Sequence, residues 1–92
     1  MIKSFKHKGL EKFFTQGTTR GIQPAHRNKL KNRLLTLQRA PSIADIDLPG
    51  YGLHQLKGDR QDIWAISVSG NWRLTFQFED GDVYILNYED YH

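Results

Sequence analysis

Residues 64–88, WAISVSGNWRLTFQFEDGDVYILNY, decide the fold. Trp64, Ile66 and Val68 share one parity, with Ala65 and Ser67 between them. Trp72, Leu74, Phe76 and Phe78 share another, alternating with Arg73, Thr75, Gln77 and Glu79. Such period-two alternation marks half-buried strands. Asp80-Gly81 is a strong two-residue hairpin signal. If it forms the loop, Phe78 faces Val83 and Phe76 faces Ile85 on the core side, while Thr75 faces Leu86 and Arg73 faces Tyr88 on the other. A three-residue loop at Ser69-Gly70-Asn71 sets Val68 against Trp72, Ile66 against Leu74 and Trp64 against Phe76. A two-residue loop there would oppose Ile66 with Arg73, which is less consistent. Arg73 is therefore expected to leave the sheet away from the core. Tyr88, Asp90 and His92 share its face if the last strand stays extended, with Tyr91 pointing the other way.

Upstream, the period changes. Leu10, Phe13 and Phe14 lie at helical spacing, so residues 8–15 read as a short helix. Gly17 and Gly21 bracket a loop. Pro24 suits a first helical position, and Leu30, Leu34 and Leu37 continue a helix that should end near Ala40, before Pro41. Residues 42–47 fit one further turn, and Pro49-Gly50-Tyr51-Gly52 a turn-rich connection. Ile2–Phe5 reads as a first strand, and Leu53–Leu56 as a strand before a turn at Gly58-Asp59. The expected order is β-α-α-β-β-β, an α+β fold with two N-terminal helices packed on an antiparallel sheet.

The chain has 92 residues, enough for one domain spanning 1–92. No signal-peptide series follows Met1, and no apolar run is long enough to span a bilayer, so a cytoplasmic protein without a membrane partner is expected. Absence of cysteine excludes disulfides, thiolate zinc sites and a cysteine nucleophile. The net charge of +3 hides an asymmetry. Residues 1–40 carry ten Lys/Arg against Glu11 alone, a net of +9; residues 41–92 carry three cations against nine acids, a net of −6. A charge run is most often a solvated helix face, but one this one-sided favours a polyanion as partner.

His7, His26, His54 and His92 form no short-range metal-ligand pair, and there is no P-loop, dinucleotide-binding glycine pattern or GxSxG. Most cofactor enzymes are thereby disfavoured. RNA cleavage asks less of a protein. The 2′-hydroxyl is the nucleophile, so the chain need only align it, move protons and stabilise phosphate charge. His, Arg, Lys and a stacking aromatic supply these functions. Taken singly, His54, Lys57, Arg73 and a terminal Tyr91-His92 are each more often surface or structural residues, and spacing alone singles out no site.

Four strings narrow the choice. MIKSFKHKGL (1–10) resembles the opening of HigB toxins, members of the RelE-like toxin–antitoxin superfamily. LHQLKGDR (53–60) resembles their LHPLKGDR, departing at Gln55; NWRLTFQF (71–78) resembles NWRITFQF; and YILNYEDYH (84–92) matches their ending in full. Residues 16–52 match mainly in pattern. The resemblance implies a compact RelE-like fold and a ribosome-dependent messenger RNA endonuclease acting in the decoding site. It further implies no metal or organic cofactor, and a cyclic or 3′ phosphate and a 5′-hydroxyl as products. A HigA-type helix-turn-helix antitoxin is implied as partner, with DNA reached only through that complex. By position, the resemblance makes His92 the proton-transfer residue, with Tyr91 and Asp90 aligning the message. Arg73 would stabilise the transition state, and His54 and Lys57 would orient the phosphate and hydroxyl. Lys6, Lys8, Lys12, Arg27, Lys29, Lys31 and Arg33 would grip rRNA phosphates of the ribosome, contacts that position without reading sequence. The nearest alternatives are a ParE-like gyrase inhibitor on the same scaffold and a catalytically inactive binding partner.

Overall fold

In the computed structural model, residues 1–91 are described, and His92 lies outside the described residues. The alternating stretch folds as three antiparallel strands, β2 (Trp64–Ser69), β3 (Trp72–Glu79) and β4 (Asp82–Asp90). A two-residue strand β1 (His54–Gln55) pairs with β2, completing a sheet of order β1-β2-β3-β4. Asp80 and Gly81 both take positive φ, 51° and 83°, as the tight turn requires.

Each hairpin holds one residue more than the alternation anticipates. In the first, Trp64–Phe76 and Ile66–Leu74 pair as expected, but Ser69, not Val68, faces Trp72. The turn has two residues, with Gly70 at φ 56°, and Val68 is taken up as a bulge that keeps it 2% exposed. In the second, Phe78 faces Val83, but beyond Gln77 the register slips by one. Thr75 then faces Asn87 rather than Leu86, and Arg73 faces Glu89 rather than Tyr88. The extra residue is Ile85, at φ 48° and 41% exposed. A β-branched residue in the left-handed region is strained by about 1–3 kcal/mol. The register shift replaces the expected Ile85 with Leu86 in the core and brings Tyr88 to 3% exposure.

The N-terminal segment supports that bulge. Instead of a full strand it makes two isolated parallel bridges to β4, Ile2 with Val83 and Phe5 with Leu86. Ser4 Oγ accepts from the Ile85 N–H at 2.8 Å, and Ser4 O from the Leu86 N–H at 3.0 Å. The sequence-based order therefore changes in its first element, while the strand expected at Leu53–Leu56 is present in shortened form as β1.

Helix α1 (Lys8–Gln16) starts where His7 Nδ1 accepts the Leu10 N–H at 2.9 Å and stops at Gly17, φ 78°. Pro24–His26 forms a 3₁₀ turn before helix α2 (Arg27–Arg39), so the helix read from Pro24 begins in the tighter form. Both helices bury their apolar stripes, Leu10 with Phe13 and Leu30 with Leu34 and Leu37, against Ile66, Leu74, Phe76 and Leu86 of the sheet. No helix among the described residues is long and apolar enough to cross a membrane.

Where the helix N-termini meet the sheet, His7 and His26 pack edge on face against Tyr88 and Trp72, which themselves stack tilted with centroids 4.5 Å apart. His26 Nδ1 lies 2.6 Å from Tyr88 Oη. Burial holds both imidazoles below the usual histidine range, and Lys29 adds to this at His26. Protonating His7 would also turn the acceptor that caps α1 into a donor. The unfolded chain, with histidines near 6.5, binds these protons more readily. Stability is therefore complete above that value and declines as pH falls toward the lowered folded values. We expect a lower unfolding midpoint at pH 5 than at pH 7.5. The His7→Asn variant, which caps without titrating, should show a shallower decline; an unchanged slope in that variant would remove His7 from this account.

Candidate active site

The face of the sheet away from the helices carries a groove of about 500 Å³ between β1, the loop after it and the end of β4. Among its lining residues are His54, Gln55, Lys57, Arg60, Ser67, Asn71, Arg73 and Tyr91. Four of the six residues proposed for chemistry from the sequence thus meet in one place.

Arg73 is the best-anchored of them. Pairing on β3 sets it between Ser67 of β2 and Glu89 of β4, and its side chain is only 14% exposed. Its Nε donates to Glu89 Oε1 at 2.9 Å, a charge-assisted bond. The Tyr91 ring covers the guanidinium at 4.1 Å from ring centroid to Cζ, a cation–π contact. Tyr91 is itself fixed by its N–H donating to Asn71 O at 2.7 Å. Glu89 engages the stem side of the guanidinium fork, so its orientation is set through a nitrogen other than the two at its tip.

His54 stands across the groove. Its Nδ1 lies 2.9 Å from Gly52 O, and a carbonyl only accepts, so Nδ1 carries the hydrogen. When neutral, the ring presents its Nε2 lone pair, the form a general base requires. Gly52 takes φ 57° to make this turn, and a Cβ there would sit 3.3 Å from Ser67 Oγ. Lys57 precedes a 3₁₀ turn at Gly58–Arg60 and is exposed on the groove's rim.

Two expectations about facing change. Tyr91, expected to point away from Arg73, stacks on it, while Tyr88 is buried beneath the sheet and Asp90 is paired with Trp72 on that same side. The cause is the Ile85 bulge, which inverts parity for every later residue. Asp90 does not line the groove; its carboxylate contributes to the raised pKa of Tyr88, after the larger effect of burial. His92 lies outside the described residues. Arg60 and Glu89 were missed, although both fall within strings that carried the resemblance; the facing of Glu89 depends on the bulge, and Arg60 sits in a 3₁₀ turn whose direction strand parity does not give.

The basic residues also divide. Lys6, Lys8, Lys12, Arg27, Lys29 and Lys31 are exposed. Arg33 is not a surface contact. It is 8% exposed, donates through Nε to Ser67 O at 2.6 Å, and lies 4.4 Å over the Tyr51 ring. Its place in the apolar stripe with Leu30, Leu34 and Leu37 buries it, and carbonyl acceptors from β2 and the 48–52 connection satisfy it.

Two helices behind an antiparallel sheet, with a cationic groove in front, define a small α+β protein. A solved copper-bound mutant toxin from Helicobacter pylori shares the fold, with a TM-score of 0.61 at 20% identity over 98% of this chain and 94% of that one. The family described as the RelE-like toxin of the type II toxin–antitoxin system HigB matches residues 3–92, and this chain belongs to it. It is 51% identical to the endoribonuclease HigB of Proteus vulgaris over the full length of both chains. It is 32% identical to the toxin HigB-1 of Vibrio cholerae, over all of this chain and 98% of that one. The resemblance read from the four strings is borne out, and these relatives lend no support to the ParE-like alternative. Membership in a toxin–antitoxin family implies an antitoxin partner.

The interior position of Arg33 is testable. Arg33→Met keeps the volume but leaves the Ser67 carbonyl without its donor, which should cost about 1–3 kcal/mol in urea unfolding. Lys29→Met on the neighbouring exposed turn should cost nothing measurable. Equal stabilities for the two variants would show that Arg33 is not structural.

Proposed function

We propose that this chain is the toxin of a type II toxin–antitoxin pair and an endoribonuclease that cleaves messenger RNA within codons on the ribosome. The observation that carries this reading is Arg73, fixed by Glu89 and Tyr91, in one groove with His54 and Lys57. The relatives named as an endoribonuclease and a toxin support it.

In this reading the groove holds one phosphate of the message. A 2′-hydroxyl attacks the adjacent phosphorus, the P–O5′ bond breaks, and a cyclic phosphate and a 5′-hydroxyl result. The imidazoles of His54 and His92 divide the two proton transfers, one taking the 2′-hydroxyl proton and the other supplying the leaving oxygen. Arg73 holds the phosphate oxygens as negative charge grows, and Lys57 adds a point charge. Tyr91 stacks on the message or aligns it. Asp90, on the opposite side of the strand, supports the chain end rather than the RNA. No step calls for a metal or an organic cofactor.

The exposed cations of residues 1–40 bind rRNA. They occupy separate clefts, Lys8 and Lys12 beside α1 with Arg20, Arg27 and Lys31 between the helices, consistent with a multi-point grip on phosphates. Residues 1–92 act as one unit in the cytoplasm, and a HigA-type antitoxin opposes them.

On translating ribosomes the purified protein should cut message in the decoding site, and it should cut free RNA far more slowly. Arg73→Ala should slow cleavage about 10²–10³-fold, and His92→Ala or His54→Ala about 10²–10⁴-fold. Message that stays intact while DNA supercoiling stalls would overturn the reading in favour of a gyrase inhibitor. Charge reversal at Lys8 and Lys12 together should weaken ribosome association and flatten its salt dependence; an unaltered salt slope would exclude this cleft from the rRNA contact.

A further inference from the structure

Arg60 has no role in the chemistry above, yet it borders the catalytic groove beside Arg73. It also borders a smaller cleft, of about 110 Å³, whose lining includes Lys6, Thr75 and Asn87. Arg60 therefore stands where the two cavities meet, with Arg73 on one side and Lys6 on the other. No carboxylate among the described residues lines either cavity.

Its contact with Glu89 differs from that of Arg73. Arg60 Nη1 and Nη2 both lie 3.5 Å from Glu89 Oε1, at the long limit of a hydrogen bond, and its side chain is 46% exposed. Arg73 holds the same oxygen at 2.9 Å from a shielded position. Two guanidiniums share one carboxylate, so the cluster keeps one unbalanced positive charge. An exposed, long ion pair of the Arg60 type is worth little, and exchanging its carboxylate for a phosphate costs correspondingly little. The planar fork of arginine suits two phosphate oxygens.

We propose that Arg60 binds the RNA phosphate next to the one that is cleaved, leading the strand out of the groove toward Lys6, and that Glu89 holds Arg60 at the junction until RNA arrives. This rests on the ribonuclease reading and extends it to the path of the substrate. Arg60 is a positioning residue, since the reacting atoms lie at Arg73. Glu89 has two duties of different permanence. It keeps Arg73 oriented throughout, and it releases Arg60.

The test uses the full chain and translating ribosomes programmed with a defined message, with the toxin in excess and the cleavage rate followed against its concentration and against salt. Arg60→Ala should raise the half-saturating toxin concentration about tenfold and reduce the salt slope by about one, with a much smaller effect on the saturated rate. Arg60→Lys, which keeps the charge but not the fork, should fall between. Glu89→Gln still accepts a hydrogen bond from Arg73 Nε but lacks the charge that restrains Arg60, so it should leave the half-saturating concentration unchanged or lower it. An unchanged concentration and salt slope in Arg60→Ala would overturn the proposal. So would equal increases in Arg60→Ala and Glu89→Gln, because the two residues would then matter only as each other's ion-pair partner. If the wild-type protein leaves message intact, the ribonuclease reading fails and this inference with it; if wild type cuts while Arg60→Ala matches it throughout, only the inference fails.

Discussion

The phase of the last strand is set by one residue, Ile85, standing in β4 with nothing opposite it. Before it, β3 and β4 pair so that Val83 enters the core. After it, Leu86 and Tyr88 do so, and Arg73, Glu89 and Tyr91 are left together on the outer face. Without the extra residue, the late residues would change sides. Tyr88 would lie over the groove, and Glu89 and Tyr91 would point at the helices. The bulge carries backbone strain, and the N-terminal segment compensates for it. Ser4 receives the two amides at the bulge, and residues 1–6 run alongside β4 as far as Leu86. The first residues of the chain thus help fix the geometry of the last.

Electrostatics divides the molecule along a similar line. Most of the exposed cations of residues 1–40 lie on the two helices, with Arg33 withdrawn into the interior to tie α2 to β2. That bond ends on the carbonyl of Ser67, whose residue lines the groove. The helix layer therefore does more than cover the back of the sheet. It fixes the backbone opposite Arg73. In the otherwise acidic C-terminal half, three cations, Lys57, Arg60 and Arg73, converge on the groove, while none of the described acids lines it and Glu89 positions Arg73 from beside it. A groove with few cations but good anchoring suits a reaction in which charge accumulates at one phosphate, whereas a broad surface suits adhesion to many.

Much of this was legible in the residues. Alternation gave the strands, Asp80-Gly81 gave a turn, and the leucine spacing gave α2. Arg73 was expected on the outer face, and there it lies. What a period-two reading has no means of placing is an inserted residue. The first bulge changes the pairing only at its turn, and the second keeps it near the turn and changes it further on, so the alternation of residues 82–86 gives no warning of the slip. Arg33 was within reach, because it occupies the i+3 position between Leu30 and Leu34 on the buried stripe; its charge concealed its place in the helical period. The bridges of Ile2 and Phe5 depend on contacts more than eighty residues away along the chain, which local pattern does not contain. The meeting of His54, Lys57, Arg73 and Tyr91 came from family resemblance; pairing of β1 with β2 brings in the first two, and the shifted register of β4 brings Tyr91 to Arg73.

A site built at the end of a chain faces the tendency of termini to fray. Here the ladder runs to Asp90, opposite Trp72, and one further backbone bond holds Tyr91 to Asn71 in the preceding turn. Stacking of the Tyr91 ring on Arg73 then ties the chain end to the best-anchored cation in the groove. The two fixings are reciprocal. Tyr91 limits the guanidinium to one plane, and the guanidinium limits the ring to one position over the groove. Glu89, two residues earlier on the same strand, orients the same cation from its other side. The strand end and Arg73 are consequently ordered as a unit.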